Sequence, residues 1–245
     1  MRLVIAAMMM SGCSDGSGGA KTDAPAAQLS SVVSVIQLQG TSYAAADASF
    51  GSQPANSTTL GTVGACTAVE TATGSSTPGL SAGVVTVTTD QATATLVPSG
   101  SPPTYMTAPL PRPPFSPGAT VSASATGSSD VPAFAIHASA PSDIEGYIAP
   151  SSISRSAGFT ATWTAGNGQD VLLTIRVSQG GTDDVLRCDV PDTGSYAVPA
   201  SALGYLGTGS GSTMQLRRSS TATDSASGVE LLVTTAVTAQ VPLVP

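Results

Sequence analysis

Between Phe159 and Val198 the chain reads FTATWTAGNGQDVLLTIRVSQGGTDDVLRCDVPDTGSYAV, and its apolar residues recur at every second position in successive runs. Phe159, Ala161 and Trp163 make the first run. Val171, Leu173, Ile175 and Val177 make the second, after Gly166-Asn167-Gly168. Leu186, Cys188 and Val190 make the third, after Gly180-Gly181. Side chains at every second position share a face only in a strand, so this spacing commits the segment to β structure. The glycine breaks between runs read as hairpin turns. The expectation is three antiparallel strands forming the nucleus of a β-sandwich, with Trp163 in its core beside Leu173.

The rest of the chain repeats the pattern with smaller residues. Val32–Leu38, Thr62–Val69, Gly83–Thr89, Ala92–Pro98, Ala119–Ala125 and Ala133–Ala138 read as short strands between Gly, Ser and Pro breaks. A helical turn is expected after Pro199, and a long last strand carries Val229, Leu231, Val233, Thr235, Val237, Ala239 and Val241. The amphipathic stretches that βαβ units need are absent. The fold class is therefore all-β, as two small antiparallel β units. Ser99–Gly118 contains Pro102, Pro103, Pro109, Pro111, Pro113, Pro114 and Pro117, which remove backbone donors and confine it to an edge or connector. Only 4% of residues are aromatic and 9% charged, so the strands must bury small β-branched side chains. A net charge of −7 and a single lysine, Lys21, exclude electrostatic capture of nucleic acid.

The first residues, MRLVIAAMMMSGC, join one basic residue to a short apolar run and a small-small-Cys ending. The run is shorter than the roughly 20 residues a helix needs to cross a bilayer. This pattern resembles the lipobox of bacterial lipoproteins, with Met10 where that family usually has Leu. The resemblance implies that Cys13 is lipidated and becomes the first residue after cleavage, anchoring the protein to a membrane through acyl chains. Ser14 follows Cys13, where the inner-membrane retention signal of some bacteria has Asp, which points to the outer membrane. Residues 14–30, rich in Gly, Ser and Ala, read as a tether with a coil reach of roughly 20 Å.

Candidate chemistry is sparse. Cys66 and Cys188 remain after Cys13, and an exported chain meets oxidising conditions, so a disulfide between them is expected over two separate buried thiols. His137 is the sole histidine, set in a strand as a solvent-facing residue; no partner for a zinc site accompanies it, and neither metal nor cofactor is expected. Gly-x-Ser-x-Gly occurs only as Gly12-Cys13-Ser14-Asp15-Gly16, across the lipobox cysteine and the start of the tether rather than at a strand-to-helix elbow, and Lys21 lies in the tether, which leaves no serine hydrolase. Asp183, Asp184, Asp189 and Asp192 read as turn and capping residues rather than a calcium loop. Asp143 and Glu145 form a looser carboxylate pair that could serve acid/base chemistry only inside a cleft.

Asp192-Thr-Gly194-Ser-Tyr196-Ala-Val198 resembles the Asp-x-Gly-x-Tyr-x-Cys corner of immunoglobulin domains, with Val198 in the place of the cysteine. Together with Phe115-Ser-Pro-Gly118, Val131-Pro-Ala-Phe134, Ala140-Pro141, Thr162-Trp163-Thr164 and Leu186-Arg-Cys188, it resembles uncharacterised exported lipoproteins of Gram-negative bacteria. That resemblance implies a two-part β fold and no known activity. The organisation expected is a lipoprotein signal peptide with its lipobox cysteine (1–13), a tether (14–30), an N-terminal antiparallel β domain (31–149) and a C-terminal immunoglobulin-like β-sandwich (150–245). The function expected is non-enzymatic binding or scaffolding at the outer membrane, with an envelope protein or polysaccharide as partner. The alternative is a cell-wall or polysaccharide hydrolase using paired carboxylates.

Overall fold

The computed structural model describes residues 30–52, 57–72, 79–166, 170–179, 181–208 and 211–245. Cys13, the tether and the Asn167-Gly168 turn lie outside the described residues. In chain order the strands are β1 (Ser30–Leu38), β2 (Ala44–Ser52), β3 (Ser57–Val63), β4 (Cys66–Ala72), β5 (Val85–Thr88), β6 (Thr93–Leu96), β7 (Pro98–Ser99), β8 (Thr104–Tyr105), β9 (Ala108–Pro109) and β10 (Thr120–Ala125). They continue with β11 (Phe134–Ser139), β12 (Ile153–Ser154), β13 (Phe159–Thr162), β14 (Asp170–Gln179), β15 (Thr182–Pro191) and β16 (Ser195–Val198). The short helix α1 (Ala200–Leu203) precedes β17 (Thr213–Thr223), β18 (Glu230–Gln240) and β19 (Leu243–Val244).

A nine-stranded sheet in the order β3-β4-β15-β14-β17-β18-β1-β2-β9 is the backbone of the molecule. One face of it is covered twice. A four-stranded sheet, β11-β10-β5-β6, packs on the β1, β2 and β18 side, around Val33, Val35, Phe50, Val121, Phe134 and Leu231. The pairs β13-β16 and β12-β19, together with α1, pack on the β4, β14, β15 and β17 side, around Trp163, Leu173, Leu186, Leu203 and Leu216. The fold is all-β and sandwich-like, with two cores on one continuous sheet.

Residues on both sides of position 150 contribute to each core. Strand β4 crosses to pair with β15, and β18 returns to pair in parallel with β1. Strands β17 and β18, eleven residues each, reach both cores. Met214 and Leu216 lie in the C-terminal core while Ala222, farther along the same strand, packs against the N-terminal one.

Local readings changed in three places. Thr62–Val69 is not one strand, because Gly64, at φ 58°, and Ala65 turn the chain between β3 and β4. The run from Phe159 does not pair with β14; β13 pairs with β16, Phe159 opposite Val198, in a separate ribbon that covers the sheet. β2, AAADASFGS, had no strand pattern of its own. Alanine has weak β propensity, and pairing with β1 buries Ala44, Ala46, Ala48 and Phe50 in a way sequence spacing alone does not announce.

Cys66 and Cys188 face each other across β4 and β15, with Cα atoms 3.9 Å apart, and are joined as a disulfide. Both are buried, against Ala68 and Leu186 in the next inward-facing pair. The bond closes a loop of sequence separation 122, worth about 5 kcal/mol in the chain-entropy treatment. Denaturant titrations are expected to show unfolding free energy falling by about 2 to 5 kcal/mol on reduction or in a Cys66→Ala, Cys188→Ala double variant. Two alkylatable thiols in protein from its native compartment would contradict the bond.

Candidate functional site

The site begins with the parity of β17. Met214, Leu216 and Arg218 point to the same inward face, so the strand that builds the C-terminal core also carries an arginine inside. Arg218 sits opposite Val171 of β14 and Thr235 of β18, and its side chain is fully buried. A buried guanidinium is tolerable only with its donors engaged. Its Nε donates to Asp192 Oδ2 at 2.7 Å, and its Nη2 to Asp192 Oδ1 at 3.0 Å and Thr164 O at 2.9 Å. Its Nη1 donates to Asp143 O at 2.6 Å, Ser142 Oγ at 3.1 Å and Ser142 O at 3.2 Å.

Asp192 is the other half of this node, with a side chain 4% exposed. It also accepts from Trp163 Nε1 at 2.7 Å and from the Gly166 amide at 3.2 Å. Burial by itself would raise its carboxyl. The hydrogen bonds from Arg218 and Trp163, the charge of Arg218 and the Gly166 amide outweigh burial and hold it below the usual carboxylate range. Gly166 is required by space: a Cβ there would lie 2.4 Å from Arg218 Cζ and 2.6 Å from Ser142 Oγ.

Beside the node opens a cleft of about 420 Å³, lined by Pro117, Ser142, Asp143, Glu145, Thr164 and Gly166, with Arg218 in its wall. Asp143 and Glu145, the pair singled out in the sequence, are both exposed in this one cleft. Between them Ile144 is buried, its amide donating to Gln39 Oε1 at 2.9 Å, and Glu145 O accepts from the Thr164 amide at 2.7 Å. The two carboxylates thus rise from one extended segment, and among the described residues no other carboxylate lines the cleft. Arg218 has no donor left for a ligand.

The other singled-out residues are scattered. His137 is exposed on β11, opposite Ser122. Asp183 accepts from Ser178 Oγ at 2.7 Å and faces Arg176 at 3.6 Å; Asp184 caps the Gly207 amide at 2.9 Å; Asp189 is exposed on β15. Among the described residues no group of three His, Cys, Asp or Glu side chains is placed to hold a metal ion. Trp163 is buried at 5% exposure in the C-terminal core. The resemblance to an immunoglobulin corner is not matched in bonding: Tyr196 Oη meets Cys66 Sγ at 3.4 Å, and the motif's Asp192 binds Arg218 instead of serving a turn. Arg218 was the residue missed, though its parity with Met214 and Leu216 was visible.

Replacing Arg218 by alanine leaves the Asp192 charge buried without its cation and takes a donor from each of three carbonyls, and is expected to cost about 3 to 5 kcal/mol in chemical denaturation. Trp163→Ala is expected to cost a similar 3 to 5 kcal/mol or so. The depressed Asp192 carboxyl gives a pH signature. Its contribution is complete above the unfolded carboxylate value near ~3.9 and is lost as pH falls toward its lower folded value. Stability of the parent should fall steeply below about pH 4, and Asp192→Asn should be less stable at neutral pH with a shallower acid slope. The chain matches no protein-family model and no curated protein, so the reading of its function rests on its own residues.

Proposed function

We propose that this chain is a membrane-anchored envelope lipoprotein that acts as a non-enzymatic binding or structural module, held to the outer membrane by acyl chains on Cys13. The observation that carries this reading is the Ser11-Gly12-Cys13 ending, in company with a disulfide-tied β body. Cross-strand cystine persists in oxidising compartments, where lipidated chains of this type reside. Two or three acyl chains hold a protein on its bilayer almost irreversibly, since each buried methylene contributes about 0.8 kcal/mol. The one buried cation of the cleft is fully committed to structure, which suits a rigid binding body better than a reaction centre.

A second reading is kept by one observation: Asp143 and Glu145 share the cleft. A polysaccharide hydrolase needs carboxylates about 5 to 9.5 Å apart that flank the scissile bond from two sides. Here both stand two residues apart on one wall, the arrangement of a rim that binds hydroxyls or cations rather than a clamp around a sugar.

Metabolic labelling with a palmitate analogue is expected to mark the parent and not Cys13→Ser, which should also lose its detergent partitioning. Partitioning of Cys13→Ser equal to the parent would overturn the anchor. Incubation with cell-wall polysaccharide is expected to release no reducing ends above the blank. Release that disappears in Glu145→Gln would establish the hydrolase instead.

A further inference from the structure

Val84, Val97 and Met106 are 42%, 58% and 76% exposed, and all three stand at the ends of neighbouring ladders. The β5-β6 ladder ends with Val85 opposite Leu96, so Val84 and Val97 are the next residues beyond it. The β7-β8 ladder ends with Pro98 opposite Tyr105, so Val97 and Met106 are the residues that flank it. Tyr105 fixes this tip from beneath: its hydroxyl donates to Gly83 O and accepts from the Ala82 amide, both at 2.8 Å. Its ring stands edge-on to Phe50 with centroids 5.3 Å apart. The apolar residues are therefore presented on a braced surface.

The tip lies at the end of the sheet where the described chain begins. Ser30 pairs with Ser52, and Ser31 Oγ accepts from the Gly51 amide at 3.4 Å, next to the same Phe50 that holds Tyr105. The sequence around the tip is also uncharged: neither Thr71–Thr89 nor Gln91–Pro111 contains Asp, Glu, Lys or Arg. Asp90, between them, sits at the opposite turn of the β5-β6 hairpin. Two carboxylates are bonded to residues flanking the tip, Asp130 to the Ser81 amide at 3.2 Å and Asp47 to Thr107 Oγ1. Of the other exposed apolar residues described, Val244 lies in β19 at the far end, Ile148 lies in the segment leading to its partner β12, and Tyr205 stands against Gly61 of β3. An eleven-residue strand such as β18 puts that end some ~35 Å away.

We infer that the Val84, Val97 and Met106 tip enters the headgroup and acyl boundary of a neutral lipid surface, as a second contact beside the acyl anchor. The inference rests on the lipoprotein reading for its geometry, because Cys13 stands only residues 14–29 before Ser30. The tether expected from the composition of that segment would reach roughly 20 Å, enough for the near end of the sheet and too little for the far one. Three apolar side chains bind a bilayer weakly alone, but an anchor that near raises their effective concentration so that a weak contact is occupied. The sheet then stands with its strands toward the membrane, and the cleft beside Arg218 is held clear of the lipid.

The test is fluorescence quenching by vesicles of phosphatidylethanolamine and phosphatidylcholine with brominated acyl chains, on full-length protein whose palmitate labelling is read in parallel. Val97→Trp is expected to lose emission on brominated against plain vesicles. Ile148→Trp and native Trp163 are expected to keep theirs, and adding Val84→Ser and Met106→Ser to Val97→Trp should reverse most of the loss. Labelled protein with Val97→Trp unquenched, or quenched no more than Ile148→Trp, overturns the tip and leaves the anchor. Unlabelled protein with Val97→Trp quenched supports the tip and removes the anchor. Unlabelled and unquenched protein overturns both.

Discussion

The ion pair between Arg218 and Asp192 is the interaction on which the arrangement of the covering layer depends. Removing two charges from water costs several kcal/mol each, and attraction alone does not offset this unless every remaining donor is bonded. That condition reaches outward. The acceptors come from Ser142 and Asp143, from Thr164 and from Asp192, which belong to three separate connecting segments. Satisfying one guanidinium therefore places three loops on the sheet at once. The indole of Trp163 is oriented by the same carboxylate, and Gly166 has no side chain because Arg218 occupies the space.

Position along the strands gives the pair its wider effect. Gln37, Thr235 and Arg218 stand in register across β1, β18 and β17, a polar row that crosses the inner face between the two apolar cores. Gln37 Oε1 and Thr235 Oγ1 are buried there without hydrogen-bond partners. Such groups cost free energy that an apolar row would not. What the row provides is separation: the N-terminal core is rich in alanine and the C-terminal one in leucine, and side chains of unlike size are not forced to interdigitate across it.

How much of this was legible in the sequence depended on how local each signal was. Alternation placed Val171 to Val177 and Leu186 to Val190 correctly, because their neighbours across the β14-β15 hairpin are also neighbours in sequence. It placed Phe159 to Trp163 in a strand and failed on the partner, since β16 lies more than thirty residues away and nothing in either segment names the other. The parallel pairing of β1 with β18 is the extreme case: Val35 meets Val233 through a separation no periodicity encodes. In the site, Asp143 and Glu145 were readable as carboxylates, and Trp163 as core. Arg218 was readable only by asking what an arginine does on the inward parity of an apolar strand, and its answer, Asp192, required the fold.

One continuous sheet also limits what the molecule can do. A protein with two cores is expected to hinge between them, since interfaces between domains are usually small and polar. Here β17 and β18 run the length of both cores, and bending at the polar row would break their ladder between Arg218 and Thr235 along with the bonds of Arg218. The disulfide ties β4 to β15 at the other side of the sheet, so that half cannot peel away either. Closure of one core upon the other is thus not open to this chain as a response to a ligand in the cleft. Whatever engages the Asp143 and Glu145 rim meets a surface already formed. Its binding would be carried to the rest of the molecule as a position, fixed relative to the Tyr105 end of the sheet, rather than as a change of shape.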